Sequence, residues 1–331
     1  MNLVVLAVFF VSPALLAGFA IAALIPLLRK SHVLDHPNDR SSHIIPTPRG
    51  AGLALIPIIA VFWIALGWGQ ATTQVLIWPA GAALFLCALS WFDDLKGLPP
   101  LSRFSAHVLM VAVLLYIQPA DVSYTQGLLP VWADRLVAGF IWVWFINLFN
   151  FMDGIDGISG IETLGIGLGV VMLLRDTMLG ELLAVPALIV AAAAFGFLML
   201  NWHPAKIFLG DSGSVPLGLL LGWLLLELAA NGYWAAALIL PLYYLADATI
   251  TIARRIARRE KIWQAHRLHF YQRAVTGGLS HSRVSSMIAV ANTMLIGLAI
   301  LSVEFATASL IGAALVTVLL LVALQRRAPA P

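Results

Sequence analysis

Residues 183–200 read LAVPALIVAAAAFGFLML, eighteen residues in succession without a charged or strongly hydrogen-bonding side chain. A helix needs about 20 residues to cross the hydrocarbon core of a bilayer. The stretch is continuously apolar rather than alternating, so it predicts a helix instead of a strand of a closed barrel, the other structure that satisfies its backbone in lipid. How often this pattern recurs decides the fold of the whole chain.

The overall composition gives the same indication. Of the 331 residues, 61% are hydrophobic and 11% are charged, whereas soluble domains have about 45–50% and about 25%. So few charged residues cannot cover a water-facing surface of this size. The composition excludes a soluble enzyme, a nucleic-acid-binding domain and a disordered protein. It predicts one integral membrane domain over residues 1–331.

Eleven apolar runs are candidates for membrane-spanning helices. We therefore predict an all-α, polytopic membrane protein with about 10–11 transmembrane helices. The first run lacks a basic start and is longer than the apolar core of a signal peptide, so we expect it to be retained as a span. The runs are Leu3–Leu28, Ala51–Trp68, Val75–Trp91, Phe104–Ile117, Arg135–Leu148, Ile161–Leu174, Leu183–Leu200, Val215–Ala229, Tyr233–Ile252, Ile288–Val303 and Thr307–Leu324.

Basic residues divide unevenly between the two sides of this arrangement. With the N-terminus outside, seventeen of the 19 Lys and Arg residues fall in inside segments, and only Arg135 and Arg175 lie outside or near it. Short cytoplasmic loops are enriched in Lys and Arg, which predicts the orientation. The same segments hold all eight histidines, so we expect a polar, chemically active face on the cytoplasmic side. Its acids are Asp93, Asp94, Asp153, Asp156 and Asp211.

The first candidate motif is the acidic pair in Trp91-Phe92-Asp93-Asp94-Leu95-Lys96-Gly97. Two adjacent carboxylates at an apolar boundary repel each other unless a cation relieves them. Either bound Mg²⁺ or a basic side chain would do so. Acids at membrane depth are costly, which favours a function over a solvated loop start.

The second motif is Asn150-Phe151-Met152-Asp153-Gly154-Ile155-Asp156-Gly157. Its amide and carboxylate oxygens suit Mg²⁺, and its glycines let the backbone approach a ligand closely. The other interpretation is a polar turn between two helices. So many oxygens so near lipid favour a binding site.

Two further polar segments follow. Asn201 to Ser214 form a predicted hairpin that leads through Phe208 to Asp211, and an aromatic ring beside polar groups can stack on a nucleobase or simply pack. In His266-Arg267-Leu268-His269, the two histidines share one face if the segment is helical. These side chains predict a pocket for anionic oxygens.

A basic, glycine-containing loop precedes the second span. It runs through Ser41-Ser42-His43 to Thr47-Pro48-Arg49-Gly50, and we expect it to meet a lipid phosphate. His203 has no regular ligand spacing to other histidines and is expected to be a surface residue.

Two other classes of function remain as alternatives. An intramembrane serine protease would use Ser212 of Gly210-Asp211-Ser212-Gly213 with a histidine buried in another span, but the histidines here lie in loops or near a span end. A transporter of anionic solutes would have polar groups and broken helices near the midplane of the bilayer, whereas most acids here cluster at one face.

Taken together, the motifs resemble the polyprenyl-phosphate N-acetylhexosamine-1-phosphate transferases, which include the phospho-MurNAc-pentapeptide translocase. The likeness is strongest to the branch that initiates O-antigen, because the translocase has consecutive histidines where this chain has His266-Arg267-Leu268-His269. The motifs occur in family order along nearly the whole chain. They are Thr47–Gly50, Asp93-Asp94, Asn150–Gly157, Phe208–Ser214 and His266–His269.

The resemblance implies an enzyme of the bacterial inner membrane, a phosphotransferase acting on substituted phosphate groups. It would transfer an N-acetylhexosamine 1-phosphate from a UDP-sugar to undecaprenyl phosphate and release UMP. The implied cofactor is Mg²⁺, with Mn²⁺ as an alternative ion. The expected partners are the UDP-N-acetylhexosamine, undecaprenyl phosphate and membrane lipids, with no nucleic acid, and a homodimer is compatible with this assignment.

The resemblance also implies roles for individual residues, taken here as expectations. Metal ligands would be Asp211, Asn150 and Asp93, and the catalytic set would be Asp93, Asp94, Asp211, His266 and His269. Substrate binding would fall to Arg49, Asp153, Asp156, Asn201, Phe208 and Arg267, of which Asn201, Phe208 and Asp156 would shape the uridine site.

Overall fold

The computed structural model describes residues 3–35, 37, 45–70, 73–261 and 266–327, and these are almost entirely helical. The all-α prediction is confirmed. The predicted loop residues Ser41-Ser42-His43 lie outside the described residues. The α-helices, numbered α1 to α14 in chain order, are Leu3–Leu6, Ser12–Lys30, Gly52–Gly67, Ile77–Lys96, Pro100–Tyr116, Val131–Phe151, Ile158–Leu174, Val185–Asn201, Asp211–Ala230, Trp234–Ile239, Leu242–Ala257, Phe270–Thr276, His281–Leu301 and Ala306–Gln325.

Among the described residues, seven helical stretches are long and apolar enough to cross a membrane. Three of these begin in a turn of π- or 3₁₀-helix that continues directly into α2, α4 or α8. Three shorter apolar helices, α3, α5 and α7, lie among them. The chain is therefore a multi-pass membrane protein, as its composition predicts. The seven stretches are Ala7–Lys30, Gln74–Lys96, Val131–Phe151, Gly180–Asn201, Asp211–Ala230, His281–Leu301 and Ala306–Gln325.

The ninth predicted span, Tyr233–Ile252, is not one helix. It is divided into α10 and α11 by a turn at Leu240 and Pro241. Proline has no backbone N–H and its ring collides with the preceding turn, so a continuous helix through Pro241 is disfavoured. The expected span is therefore interrupted at this proline, which the count of apolar residues did not weigh, and α10 and α11 together return the chain to the end of the bundle where α9 begins.

Helix α9 lies at the centre of the bundle, since it is the most buried of the seven long helices. Helices α3, α4, α6 and α7 pack around it. Glycines permit the closest of these contacts: a Cβ atom added at Gly52 of α3 would lie 2.2 Å from the backbone nitrogen of Gly213 in α9. The first turns of α3 and α9 are therefore in backbone-to-backbone contact.

A short extended segment places the loop before α3 against the start of α9. The strands β1 (Leu34–Asp35) and β2 (Thr47–Pro48) are antiparallel. Beyond β2, the N–H groups of Gly50 and Ala51 both donate to the carbonyl of Phe208 at 3.0 Å. Two of the motifs predicted from the sequence are thereby joined through backbone hydrogen bonds.

The contact between Gly52 and Gly213 gives a prediction about stability. In Gly52→Ala, the new methyl group collides with backbone atoms of α9, which cannot move aside as a side chain can. We expect the free energy of unfolding to fall by about 1–3 kcal/mol, as for other overpacked sites. The apparent melting temperature of the protein in detergent measures this change.

The matched control is Gly81→Ala in α4, where an added Cβ atom meets no other atom within 4 Å. This substitution should leave the melting temperature unchanged or raise it, because alanine favours helix more than glycine. Equal losses in both variants would contradict the packing argument.

Candidate active site

Three carboxylates and two arginines form an ionic cluster where the ends of α4, α5 and α9 meet the loop before α3. We call Asp93, Asp94, Asp211, Arg49 and Arg103 the acid–arginine cluster. The Nη2 atom of Arg49 lies 2.5 Å from Oδ1 of Asp211 and 3.0 Å from Oδ1 of Asp94. The Nη1 atom of Arg103 lies 2.9 Å from Oδ2 of Asp93 and 3.5 Å from Oδ2 of Asp211.

The two arginines compensate the negative charge of the three carboxylates. Asp93 and Asp94 are among the more deeply buried carboxylates, and their side chains are 8% and 7% exposed. Burial opposes the charge on Arg49, but the carboxylates of Asp211 and Asp94 outweigh it, so the pKa of Arg49 is raised above its usual value. The guanidinium stays charged under all practical conditions.

The sequence alone allows a basic side chain beside the acidic pair but does not identify Arg103, and Lys96 is the nearest basic residue in the sequence. In the structure, the ammonium group of Lys96 lies 4.9 Å from the centre of the Phe92 ring. Arg103 contacts the acids instead, because the chain turns back after Gly97 and begins α5 at Pro100. A basic residue in the first turn of the next apolar helix was the available signal.

Asn150 and Asp153 lie beside the acid–arginine cluster. The Ser214 hydroxyl, in the same first turn of α9 as Asp211, donates a 2.6 Å hydrogen bond to Oδ1 of Asn150. The Ser159 hydroxyl donates to Oδ1 of Asp153 at 2.7 Å. Burial raises the pKa of Asp153 to about 6, with Arg49 opposing this shift and Asp211 adding to it. Asp153 is therefore close enough to the cluster to respond to its charges.

The donor atoms of this region fit a hard divalent cation. Carboxylate and amide oxygens come from Asp93, Asp94, Asp211 and Asn150, and oxygen is the ligand that Mg²⁺ prefers. Oδ2 of Asp94 is buried and has no hydrogen-bond partner among the described residues. A buried carboxylate oxygen without a partner is costly, and a bound cation would satisfy it.

A second group, which we call the Asp156 cluster, consists of Asp156, His203 and His281. The Nδ1 atoms of His203 and His281 lie 2.6 Å and 3.3 Å from the Asp156 carboxylate, which also accepts the N–H of Ala205 at 3.2 Å. Burial is the largest single influence on Asp156 and by itself would raise its pKa. The hydrogen bonds together outweigh burial, so the pKa of Asp156 is lowered. The cluster ties the loop after α6 to the loop after α8 and to the start of α13.

The donor atoms of the Asp156 cluster lie within 4.8 Å of one another and could hold a metal ion. Ligands of one tetrahedral zinc ion, at bonds of about 2.0–2.1 Å, would lie further apart than 2.6 Å. The observed separation of His203 from Asp156 is that of a hydrogen bond. His203, predicted to be a surface residue, is 40% exposed but is held by Asp156.

Asn201 and Phe208 adjoin the Asp156 cluster. The buried Asn201 accepts the N–H of Gly157 at 2.8 Å and donates to the carbonyl of Ile207 at 2.9 Å, so its amide joins the two loops. Phe208 pairs through its backbone with the segment around Arg49, and its side chain is partly exposed. Together these contacts bring the Asp156 cluster next to the Arg49 loop.

A third group, which we call the His269 cluster, consists of Asp247, His266 and His269. The rings of His266 and His269 are 4.8 Å apart. Burial lowers the pKa of His266 to about 4, with further contributions from His269 and Arg255. His266 is therefore neutral at pH 7, and the half-buried Arg267 between the two histidines carries the fixed positive charge.

Tyr271 connects the His269 cluster to the second motif. Its ring stacks on His269 at 5.7 Å, and its hydroxyl donates to the carbonyl of Phe151 at 3.2 Å. A Cβ atom added at Gly154 would lie 2.2 Å from this hydroxyl. The structure thus brings all the predicted site residues to one end of the bundle, in three adjoining groups.

The protein is similar in sequence to enzymes that transfer phosphosugars to polyprenyl phosphates. Residues 76–229 match the model of glycosyl transferase family 4. The chain is 30% identical to the decaprenyl-phosphate N-acetylglucosaminephosphotransferase of Mycobacterium tuberculosis, over 86% of this chain and 79% of the relative. It is 29% identical to the probable undecaprenyl-phosphate N-acetylglucosaminyl 1-phosphate transferase of Bacillus subtilis, over 78% and 74%.

A further relative is the phospho-N-acetylmuramoyl-pentapeptide-transferase of Thermosynechococcus vestitus, which is 28% identical over 72% of this chain and 68% of the relative. The match to both kinds of transferase agrees with the family resemblance noted from the five motifs.

The raised pKa of Asp153 predicts a pH dependence of stability. Between the usual carboxyl value of 3.8 and about 6, the folded protein binds more protons at Asp153 than the unfolded chain. This contribution to stability is present at low pH and is lost as the pH rises to about 6. Replacing Asp153 with Asn should remove this loss.

The measurement is the melting temperature of both proteins, without added divalent ions, from about pH 4 to about pH 7. The difference, Asp153→Asn minus wild type, should increase as the pH rises. Parallel curves would show that Asp153 has an ordinary carboxyl pKa.

Proposed function

The chain belongs to glycosyl transferase family 4, among the polyprenyl-phosphate N-acetylhexosamine-1-phosphate transferases, and from this premise we propose that it acts on undecaprenyl phosphate. The donor is a UDP-N-acetylhexosamine, and the products are UMP and undecaprenyl-pyrophosphate-linked sugar. The reaction begins the synthesis of O-antigen or a related cell-envelope glycan. The acid–arginine cluster at the ends of membrane helices is the observation that carries this proposal.

The location of the cluster suits two substrates of opposite solubility. A polyprenyl phosphate is anchored in the bilayer, and a nucleotide sugar is dissolved in water. Side chains at helix ends, such as Arg103 and Asp211, lie where both can reach. Arg103 is 39% exposed and Arg49 is 36% exposed, so each guanidinium can exchange a carboxylate for a substrate phosphate.

An apolar cavity supports the same assignment. It has a volume of about 650 Å³ and lies between α5 and α6, with Val108, Leu115, Phe140 and Val143 among its lining residues. One end is bordered by Phe104, which follows Arg103 in the chain. A lipid chain in this cavity would have its phosphate near Arg103 and would be held by van der Waals packing, because a chain already in the bilayer gains no hydrophobic energy by entering an apolar cavity.

The transfer needs one bond to form and one to break at the β-phosphorus of the UDP-sugar. An oxygen of the lipid phosphate attacks this atom in line, and the bond to the oxygen of UMP breaks. The lipid phosphate is already largely anionic at pH 7, since second phosphate pKa values lie near about 6. A strong base is therefore unnecessary, and Asp94 orients the attacking phosphate through Arg49.

Mg²⁺ bound by Asp211, Asn150 and Asp93 would supply positive charge to the diphosphate of the donor as charge builds on the leaving UMP. Arg267 and His269 hold the non-bridging oxygens of the same diphosphate. Asn201 and Asp156 fix the two loops beside Phe208, whose partly exposed ring is suited to stacking on uracil.

Substitution of Asp211 separates this function from the alternatives. Asp211→Asn keeps the size of the side chain but removes one charge from the proposed metal site. We expect UMP release to fall by at least about 100-fold, comparable to the loss of one preorganised electrostatic group in other enzymes. The assay contains purified protein, Mg²⁺, undecaprenyl phosphate and a panel of UDP-N-acetylhexosamines.

Ser212→Ala is the matched control in the next position. Ser212 is fully buried, and its hydroxyl has no hydrogen-bond partner among the described residues, whereas a nucleophilic serine needs a base within reach. UMP release should persist in this variant. A wild type that releases no UMP but cleaves a membrane-embedded peptide, with cleavage lost in Ser212→Ala, would favour the protease.

We also propose that the candidate site faces the cytoplasm. The native Cys87 is 4% exposed, so introduced cysteines can be labelled against a low background. Asp121→Cys, at the opposite end of the bundle, should react with a membrane-impermeant maleimide in intact cells. Lys206→Cys, in the loop before α9, should react only after the membrane is permeabilised, and labelling in intact cells would reverse the orientation.

A further inference from the structure

Asp247 is a buried acid within α11 that is absent from the set of site residues expected from the family resemblance. It is 0% exposed. Its carboxylate accepts hydrogen bonds from the backbone N–H groups of Phe270 at 3.0 Å and Tyr271 at 3.3 Å. It also accepts from the hydroxyls of Tyr243 at 3.1 Å and Thr251 at 3.4 Å. A fully buried carboxylate in a membrane protein is costly and usually has a function.

The fifth donor is the ring of His269, whose Nδ1 atom lies 3.2 Å from Oδ1 of Asp247. A carboxylate surrounded by donors is ionised and can only accept hydrogen bonds. This contact favours the tautomer of His269 that carries its proton on Nδ1. Nε2 is left as the nitrogen that can interact with another group, in the way that a buried aspartate fixes the tautomer of a catalytic histidine.

The other contacts of His269 keep its ring in one place. It is 1% exposed and lies between His266 and Tyr271, at 4.8 Å and 5.7 Å between ring centres. Asp247 also accepts the first N–H groups of α12, so one carboxylate fixes both the helix that carries Tyr271 and the histidine before it. Tyr271 in turn contacts the loop of Asp153.

We infer that Asp247 is a positioning residue of the transfer reaction. It holds His269 as the Nδ1–H tautomer. When the UDP-sugar is bound, Nε2 takes up a proton from water and donates a hydrogen bond to the diphosphate, where charge develops as UMP leaves, while Asp247 stabilises the imidazolium. The inference rests on the proposed function for the substrate. The tautomer of His269 is a property of the protein alone and can be measured whether or not the proposed function is right.

The first test measures the tautomer directly. Nitrogen NMR of the ¹⁵N-histidine-labelled protein in detergent distinguishes a protonated Nδ1 from a protonated Nε2. The His269 signals are assigned by their absence in His269→Gln. We expect the Nδ1–H form in the wild type. A wild-type protein with the proton on Nε2 would overturn the inference, and this result does not depend on the folding of any Asp247 variant.

The second test compares kinetics in a double-mutant cycle. Asn at 247 is uncharged and can present either its oxygen or its NH₂ group to Nδ1, so the Nε2–H tautomer becomes populated and the imidazolium loses its counter-charge. Asp247→Asn should lower kcat for UMP release by about tenfold or more, with the KM for UDP-sugar little changed. In a His269→Gln background, the same substitution should have little further effect, because Asp247 acts through His269.

Tyr243→Phe and Thr251→Val are the controls. Each removes one donor to Asp247 and leaves the contact with His269 in place, so the tautomer should be kept and kcat should stay within about threefold. Equal losses of kcat from Asp247→Asn in both backgrounds, with the His269 tautomer unchanged, would mean that Asp247 only stabilises the fold and would overturn the inference.

The two tests also separate this inference from the proposed function. If the wild type releases no UMP with any UDP-sugar, the proposed function fails, and the tautomer in wild type and Asp247→Asn alone decides the role of Asp247. If UMP is released but the tautomer is not the one expected, the function stands and the role of Asp247 fails.

Discussion

The compensation of buried charge governs the organisation of this protein. Asp93, Asp94 and Asp211 lie at the ends of apolar helices, where isolated carboxylates would be strongly unfavourable. Arg49 and Arg103 contact all three, and each arginine comes from a different part of the chain. These ion pairs offset the repulsion between the acids where the helix ends meet. The same pairs keep the region polar enough to bind phosphates.

Antiparallel helices explain how motifs far apart in the sequence come together. Each pair of antiparallel crossings returns the chain to the same end of the bundle, where α4 and α6 finish and α5, α7 and α9 begin. The loops between these helices then need few residues to place Asp94, Asn150, Asp153 and Asp211 side by side. Long helices supply the scaffold, and their ends supply the chemistry. A rigid scaffold that carries reactive groups on its connections is a common arrangement in enzymes.

Much of this could be predicted from the sequence, because hydrophobic runs, basic-residue asymmetry and polar motifs are local signals. The helical fold and the grouping of the five motifs at one end follow from them. The break at Pro241 was missed because the flanking residues are as apolar as a continuous span. Arg103, His203 and His281 were missed or undervalued because their roles depend on partners distant in the sequence. Only the fold reveals that His203 and His281 share Asp156, or that Asp247 reaches His269.

The contact between Gly52 and Gly213 has a consequence for how the two halves of the candidate site can move. No side chain separates the backbones of α3 and α9 there, and the N–H of Gly52 is bonded to the carbonyl of Leu209 at 3.1 Å. The backbones of Arg49 and Asp211, which adjoin this contact, are therefore held in a fixed relative position. Any closure around a substrate has to come from the opposite wall, where the seven-residue α12 carries Tyr271 and follows His269.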